Sequence, residues 1–270
     1  MKLLPSRFVK TFCCAFALLS LISVCRPGRA QVHAIDGRGV DVKLTSLPKR
    51  IVSLAPSNTE ILFALGLKGR IVADTSQCNY PPEAAKLPHI GDYRISIEQV
   101  IARKPDLVVA MTSANRGAIQ QLERLHMPVF AVDPGSIQET MDAIRKIGQI
   151  TGADSQAARV VLSMEARVAA LRRTLNNVRS LPKVLIVVQS QPLMVAGGKT
   201  FMDEIVTTAG GANLGRKSGM GYNLYSSERV IADPPDVIIG TADIGSKPGD
   251  RKSTRLNSSH LKLSRMPSSA

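Results

Sequence analysis

Two stretches of this chain share one frame. Residues 95–109 read ISIEQVIARKPDLVV and residues 225–239 read YSSERVIADPPDVII. Each runs Ser, any residue, Glu, any residue, Val-Ile-Ala, two residues, Pro-Asp and three branched apolar residues. Two more landmarks recur in the same order. PKRIVSL (48–54) is answered by PKVLIVV (182–188), and EILFALGL (60–67) by EIVTTAGG (204–211). Three matches in one order point to two lobes of like topology.

The pieces of the repeat read as strands and helices in alternation. Ile51–Leu54 has strand length, and Thr59 is the expected cap of a helix that ends at Gly66. Arg70–Thr75 reads as a short strand, and Cys78–Tyr93 as a Pro-rich loop. Ser96 with Gln99 forms a capping box, and Pro105 stops that helix near Lys104. Leu107–Ala110 is a buried strand, 114–126 a helix with Ile119, Leu122 and Leu125 on one side, Val129–Val132 a strand, and Ile137–Thr151 a helix ended by Gly152. Alternation of this kind predicts a parallel sheet with helices on both faces.

Between the copies the period changes. Ala157, Val161, Met164, Val168, Leu171, Leu175 and Val178 form one stripe of a single long helix. It reads as a bridge between lobes, with a coiled-coil partner helix as the other reading. The expected fold class is therefore α/β: two Rossmann-like lobes joined by a single long backbone helix. The expected division is a signal peptide at 1–30, a first lobe at 31–152, a linking helix at 153–181, a second lobe at 182–249 and a non-native tail at 250–270.

The two ends need separate treatment. Met1–Lys10 is basic, Thr11–Cys25 is apolar and short for a membrane span, and GRA at 28–30 offers the small residues that a signal peptidase reads. A secretory signal peptide is expected, with a membrane anchor as the alternative. Lipid attachment at Cys25 ranks second, because Val24 is bulky where a small residue is usual. Asp250–His260 resembles the translation of a sequencing adapter; a natural basic tail is the other reading. The first lobe continues about forty residues past its Pro-Asp unit and the second about ten, so the second lobe is expected to be truncated.

The formal charge of +14 suggests nucleic acid only until its placement is read. The first thirty residues carry five of these charges and the last twenty-one a net four, which leaves +5 on the middle. No nucleic-acid partner is expected. Cys13, Cys14 and Cys25 leave with the signal peptide if it is cleaved after Ala30, so Cys78 stands alone and no internal disulfide is expected.

Signals for catalysis are thin. His33, His89, His126 and His260 show no metal-ligand spacing. The GGKT at 197–200 lacks the glycine of a phosphate loop, since Leu193 stands in its place. No nucleophile elbow is present. No enzyme, cofactor or metal is expected, and binding remains. Ligands of open parallel sheets sit beyond the carboxyl ends of the strands. The candidate walls are Pro56, Ser57, Asn58, Tyr80, Tyr93 and the Thr112–Asn115 loop with Asn115 in the first lobe. In the second they are the Gln191–Met194 loop with Met194, then Tyr222 and Tyr225 in the Gly-rich loop. All four tyrosines fall there, which suits a large planar ligand, although each alone is equally explained by packing. Glu98 and Glu228 occupy matching first turns. They either cap those helices or form two negative knobs for a two-fold partner.

RIVSLAPSNTEILFALGL, YPPEA, SIEQVIARKPDLVVA and AGGANLG resemble the cobalamin/iron-siderophore class of periplasmic substrate-binding proteins, closest to its cobalamin-binding member. The resemblance covers about residues 48–241. It implies limited hinge motion and a monomer in the periplasm that delivers its ligand to an ATP-driven (ABC) importer. It also implies that Glu98 and Glu228 engage arginines of the permease. Tyr80 matches a cleft aromatic of that member, Tyr93 and Tyr222 stand where it has tryptophans, and Met194 stands where it has a Phe. The implied cargo is cobalamin or a related corrinoid, with haem or a ferric siderophore as the alternative. In a haem reading His89 or Tyr93 is the candidate iron ligand. A secreted enzyme of double-Rossmann form is the alternative of another class.

Overall fold

The computed structural model describes residues 32–241 and the backbone of 261–265. The signal peptide, Cys25 and most of the tail lie outside the described residues. An antiparallel hairpin of β1 (Val32–Ile35) and β2 (Asp41–Leu44) opens the described part. The buried Asp36 carboxylate accepts Arg38 N, Val40 N and Ala131 N, which closes the turn and ties it to the first lobe.

The first lobe follows as β3 (Ile51–Ser53), α1 (Pro56–Ala64), β4 (Ile71–Ala73), α2 (Ile97–Ala102), β5 (Leu107–Met111), α3 (Arg116–Arg124), β6 (Val129–Val132) and α4 (Ile137–Thr151). Its sheet has the order β4-β3-β5-β6, all parallel. The strands are continuous apolar runs because both faces are covered. Leu107 and Val109 join Phe130, Leu62 and Ile147 on one face. Val108 and Ala110 join Val100, Ile119 and Leu122 on the other.

Local chemistry sets the helix ends. Ser96 caps α2 by accepting Gln99 N, as expected, and Gly152 ends α4 at φ 69°. The expected cap at Thr59 is wrong. The helix begins four residues earlier, with Ala55 at the cap position and Pro56 in its first turn, where a missing N–H costs nothing. Thr59 is buried inside it, and its hydroxyl is taken up by Ala55 O, Ser53 Oγ and Cys78 Sγ. Leu125, expected on the inner side of its helix, lies past the end of α3 and is exposed.

Helix α5 (Asp154–Leu175) spans 22 residues, about 33 Å. Ala157 and Val161 are buried against α4, where a Cβ on Gly148 would lie 2.6 Å from the Ala157 methyl. At its far end Leu175 covers Gly210 of the second lobe. Val178, the last member of the predicted stripe, lies beyond the helix and is exposed.

The second lobe comprises β7 (Lys183–Ser190), β8 (Leu193–Ala196), α6 (Phe201–Thr208), β9 (Ala212–Asn213), β10 (Tyr222–Leu224), α7 (Ser227–Ala232) and β11 (Val237–Thr241). Its parallel strands β9, β7 and β11 repeat the β4-β3-β5 arrangement. The expectation of loops at 191–194 and 222–225 needs correction. Met194 lies opposite Gln189 and Leu224, and Tyr222 opposite Ala196, in antiparallel strands, since β8 folds back on β7 and β10 adds to β8. The lobe is thus mixed where the first is parallel. The tail, set outside the fold on its sequence, supplies β12 (Leu261–Arg265), antiparallel to β11. An open sheet edge offers unpaired backbone groups to any extended segment within reach.

The repeated Pro-Asp has one structural job. The Asp106 carboxylate accepts Lys49 N (2.7 Å) and Arg50 N (2.8 Å), while its own N–H donates to Arg50 O. Asp236 accepts Lys183 N (2.7 Å), and its N–H donates to Lys183 O. In each lobe the Asp thereby joins the start of one strand to the start of its parallel neighbour. Asp106→Ala is expected to lower unfolding stability by about 1–2 kcal/mol, and Asp236→Ala by less, read by urea denaturation. Equal stability of Asp106→Ala and the unaltered chain would show that the clamp is dispensable.

Candidate functional site

Strand carboxyl ends in the first lobe lead into four segments: 54–58 after β3, 74–80 after β4, 112–115 after β5 and 133–136 after β6. Beyond that edge lies the second lobe. Glu204 of α6 accepts Ile137 N at the start of α4 (2.9 Å), so one lobe meets the first turn of a helix in the other. A cavity of about 450 Å³ lies beside this contact, lined by Met141, Val168, Arg172 and Glu204 among others.

The predicted tyrosines divide by exposure. Tyr93 is 82% exposed, Tyr222 56% and Tyr80 43%, whereas Tyr225 is 6% exposed. Tyr225 packs with Leu185, Val187, Val195 and Leu214, and the Arg229 guanidinium sits 6.0 Å from its ring centre. Its ring is therefore taken up by the core of the second lobe, a role the shared loop placement hid. Met194 is half-buried on β8, one strand from the exposed Tyr222 and Leu224.

The first-lobe polar candidates divide likewise. Ser57 is exposed and Pro56 half-buried. Asn115 is buried; its Oδ1 accepts Met111 N and its Nδ2 donates to Leu54 O, which fixes the ends of β3 and β5 relative to each other. Asn58 Nδ2 is buried with no hydrogen-bond partner, as are Thr112 Oγ1 and Asp74 Oδ2. All three fall just beyond strand ends of one sheet. A buried polar atom without a partner costs about 1–3 kcal/mol, and such exceptions gather where a ligand or water completes the bonding.

A buried polar group underlies this edge that the sequence did not disclose. Thr59 donates to Ser53 Oγ and lies 3.2 Å from Cys78 Sγ; Thr75 lies 3.3 Å from the same sulfur. Cys78 is a free, buried thiol whose pKa burial pushes up, as expected of an inert group. Asp74 is fully buried, and its Oδ1 lies 2.9 Å from His89 Nδ1. Burial pushes the Asp74 carboxyl up to about 6, against the opposing pull of His89. No spacing rule connects residues 74 and 89. Only the backbone bonds Asp74 N to Pro88 O and Ile90 N to Asp74 O bring them together. Among the described residues no cluster of three or more His, Cys, Asp or Glu could hold a metal ion.

Glu98 and Glu228 are exposed in the first turns of α2 and α7. A bond to each one's own backbone N–H, then the cap serine (Ser96 or Ser226), holds its carboxyl below the usual range. Both are charged at neutral pH, and the two helices present equivalent acids.

Two lobes of this kind around one helix define the bilobal solute-binding class. The chain belongs to the periplasmic binding protein family, whose model matches residues 51–265. It is 33% identical over 205 residues to a vitamin B12-binding protein of Yersinia pseudotuberculosis, covering 73% of this chain and 72% of that one. It is 31% identical over 224 residues to an ABC transporter substrate-binding lipoprotein of Bacillus subtilis, covering 80% and 71%. The structure of a periplasmic heme-binding protein from Roseiflexus sp. RS-1 superposes at a TM-score of 0.64 with 33% identity, covering 70% and 75%.

The Asp74 carboxyl generates a pH prediction. Its folded pKa is raised from 3.8 to about 6, so its contribution to stability is full below the unfolded value and is lost as pH rises through about 6. Thermal unfolding at steps across that window is expected to show the chain losing stability relative to Asp74→Asn. A difference that stays flat from acid to neutral pH would contradict the raised value.

Proposed function

We propose that this chain is an exported carrier that holds a bulky metal complex between its lobes and delivers it to a membrane importer. Corrinoids are the first choice of cargo, haem or a ferric siderophore the second. The observation that carries this reading is the exposure of the Tyr80, Tyr93 and Tyr222 rings at candidate wall positions of both lobes. Flat amphipathic side chains left uncovered on two walls suit a large planar ligand with a polar rim. Pro56, Ser57, Asn58 and Met194 complete the walls, while Asn115 and Tyr225 hold them in place from behind. The likeness to a vitamin B12-binding and to a heme-binding protein supports the ligand class and leaves its members level.

Titration of the purified chain with cyanocobalamin, haemin and a ferric siderophore ranks the three. Binding of none of them would overturn the carriage reading. Tyr93→Ala and Tyr222→Ala are each expected to weaken the preferred ligand by about tenfold, in line with the loss of a stacking ring.

Glu98 and Glu228 form the docking pair in this reading. Exposed acids of this kind set register and encounter rate more than tightness. The double variant Glu98→Ala with Glu228→Ala is expected to keep ligand affinity and to lose uptake several-fold in cells that depend on this carrier. Normal uptake by the double variant would end the docking proposal.

A further inference from the structure

The cavity beside the Glu204–Ile137 contact has walls from three helices. Ile137 and Met141 come from α4, Val168, Ala169 and Arg172 from α5, and Glu204 from α6. It thus touches the first lobe, the linking helix and the second lobe. None of the exposed tyrosines lines it, nor do Pro56, Ser57, Asn58 or Met194. Its volume of about 450 Å³ falls within the range of about 300–1,000 Å³ common for small-molecule sites.

The lining is two-sided. Met141 is a buried member of the first-lobe core, and Ile137 and Val168 pack against that core. These three give the cavity an apolar floor, with a methionine that adapts to the shape of what it meets. Arg172 follows Val168 by four residues and Ala169 by three, so all three share one patch of helix surface. A guanidinium therefore stands beside apolar surface.

The charges at the rim are not equally available. Glu165 accepts Arg145 Nη2 (2.9 Å), and Glu204 accepts Ile137 N (2.9 Å), so both acids are engaged. Arg173 donates from Nε to Ala169 O (3.3 Å). Arg172 makes no hydrogen bond or ion pair among the described residues. Neither arginine meets a carboxylate there, and the charge left uncompensated is positive. A guanidinium presents paired donors that match the two oxygens of a carboxylate.

We propose that this cavity is a second binding site, for a small organic carboxylate with an apolar body. The carboxylate sits on Arg172, and the body lies over Met141, Val168 and Ala169. The site goes beyond carriage, since its residues belong neither to the proposed cargo walls nor to the docking pair. Its occupant rests against both lobes beside the bond that joins them.

The test is calorimetric titration of the full chain with decanoate, and with decyltrimethylammonium as a probe of like body and opposite charge. One decanoate per chain is expected, with the cation at least about tenfold weaker. Arg172→Glu removes the anion partner, and Ala169→Trp fills the space. Both positions are exposed, so both variants are expected to keep the fold by circular dichroism. Each is expected to weaken decanoate about tenfold or more.

Unchanged decanoate affinity in either variant would overturn the inference. So would equal affinity for the two probes, or no decanoate binding at millimolar concentration. Displacement of decanoate in proportion to bound cyanocobalamin or haemin would put both ligands in one place and overturn a separate site. Decanoate binding by a chain that takes up none of the metal complexes would remove carriage and leave this site standing.

Discussion

Each lobe depends on a carboxylate at the foot of its central strand. Parallel strands cannot be joined by a tight turn, so their starts must be aligned by something other than a hairpin. Asp106 supplies that alignment with two backbone bonds to Lys49 and Arg50, and Asp236 with one to Lys183. The proline before each Asp ends the preceding helix, and the apolar residues after it form the buried strand. Capping serine, exposed glutamate, helix stop, clamp and strand thus follow one another in a single short unit. Its recurrence is the reason the chain builds two comparable sheets.

The linking helix turns the two sheets into one binding protein. It is held at one end by the close approach of Ala157 to Gly148 and at the other by Leu175 over Gly210. Small residues at both ends let the helix lie near the backbone of each lobe, which favours a stiff connection over a loose one. The contact of Glu204 with the first turn of α4 adds a direct bond between lobes, with the carboxylate placed where the helix dipole favours it. These three contacts tie the helix to both lobes and one lobe to the other.

Beneath the first lobe's edge, polar groups replace the apolar packing found elsewhere. Ser53 of β3, Thr59 of α1, and Thr75, Cys78, Asp74 and His89 beyond β4 are joined by side-chain contacts. Such a network holds loop shapes more tightly than dispersion alone, because each broken bond leaves a buried polar atom exposed to the full desolvation cost. It also explains how Tyr80 and Tyr93 can stand exposed on irregular segments. The backbone behind them is pinned, and the rings need not pack to be held.

Much of this was legible in the residues themselves. The order of strands and helices in the first lobe, the Ser96 cap, the Gly152 stop, the long helix and the matched acids Glu98 and Glu228 all follow from local rules. Periodicity, capping and proline geometry act over a few residues, and a repeat doubles each signal. What the sequence could not supply was any relation between residues held together by chain reversal. The start of α1 at Pro56, the antiparallel pairing of Met194 with its neighbours and the burial of Tyr225 were all decided by what lay across the sheet. The same holds for the meeting of Asp74 with His89. The sequence by itself determined two sibling α/β lobes on one helix. Tertiary structure alone decided which side chains of that frame remain free to meet a ligand, because burial and pairing depend on neighbours that the linear order does not name.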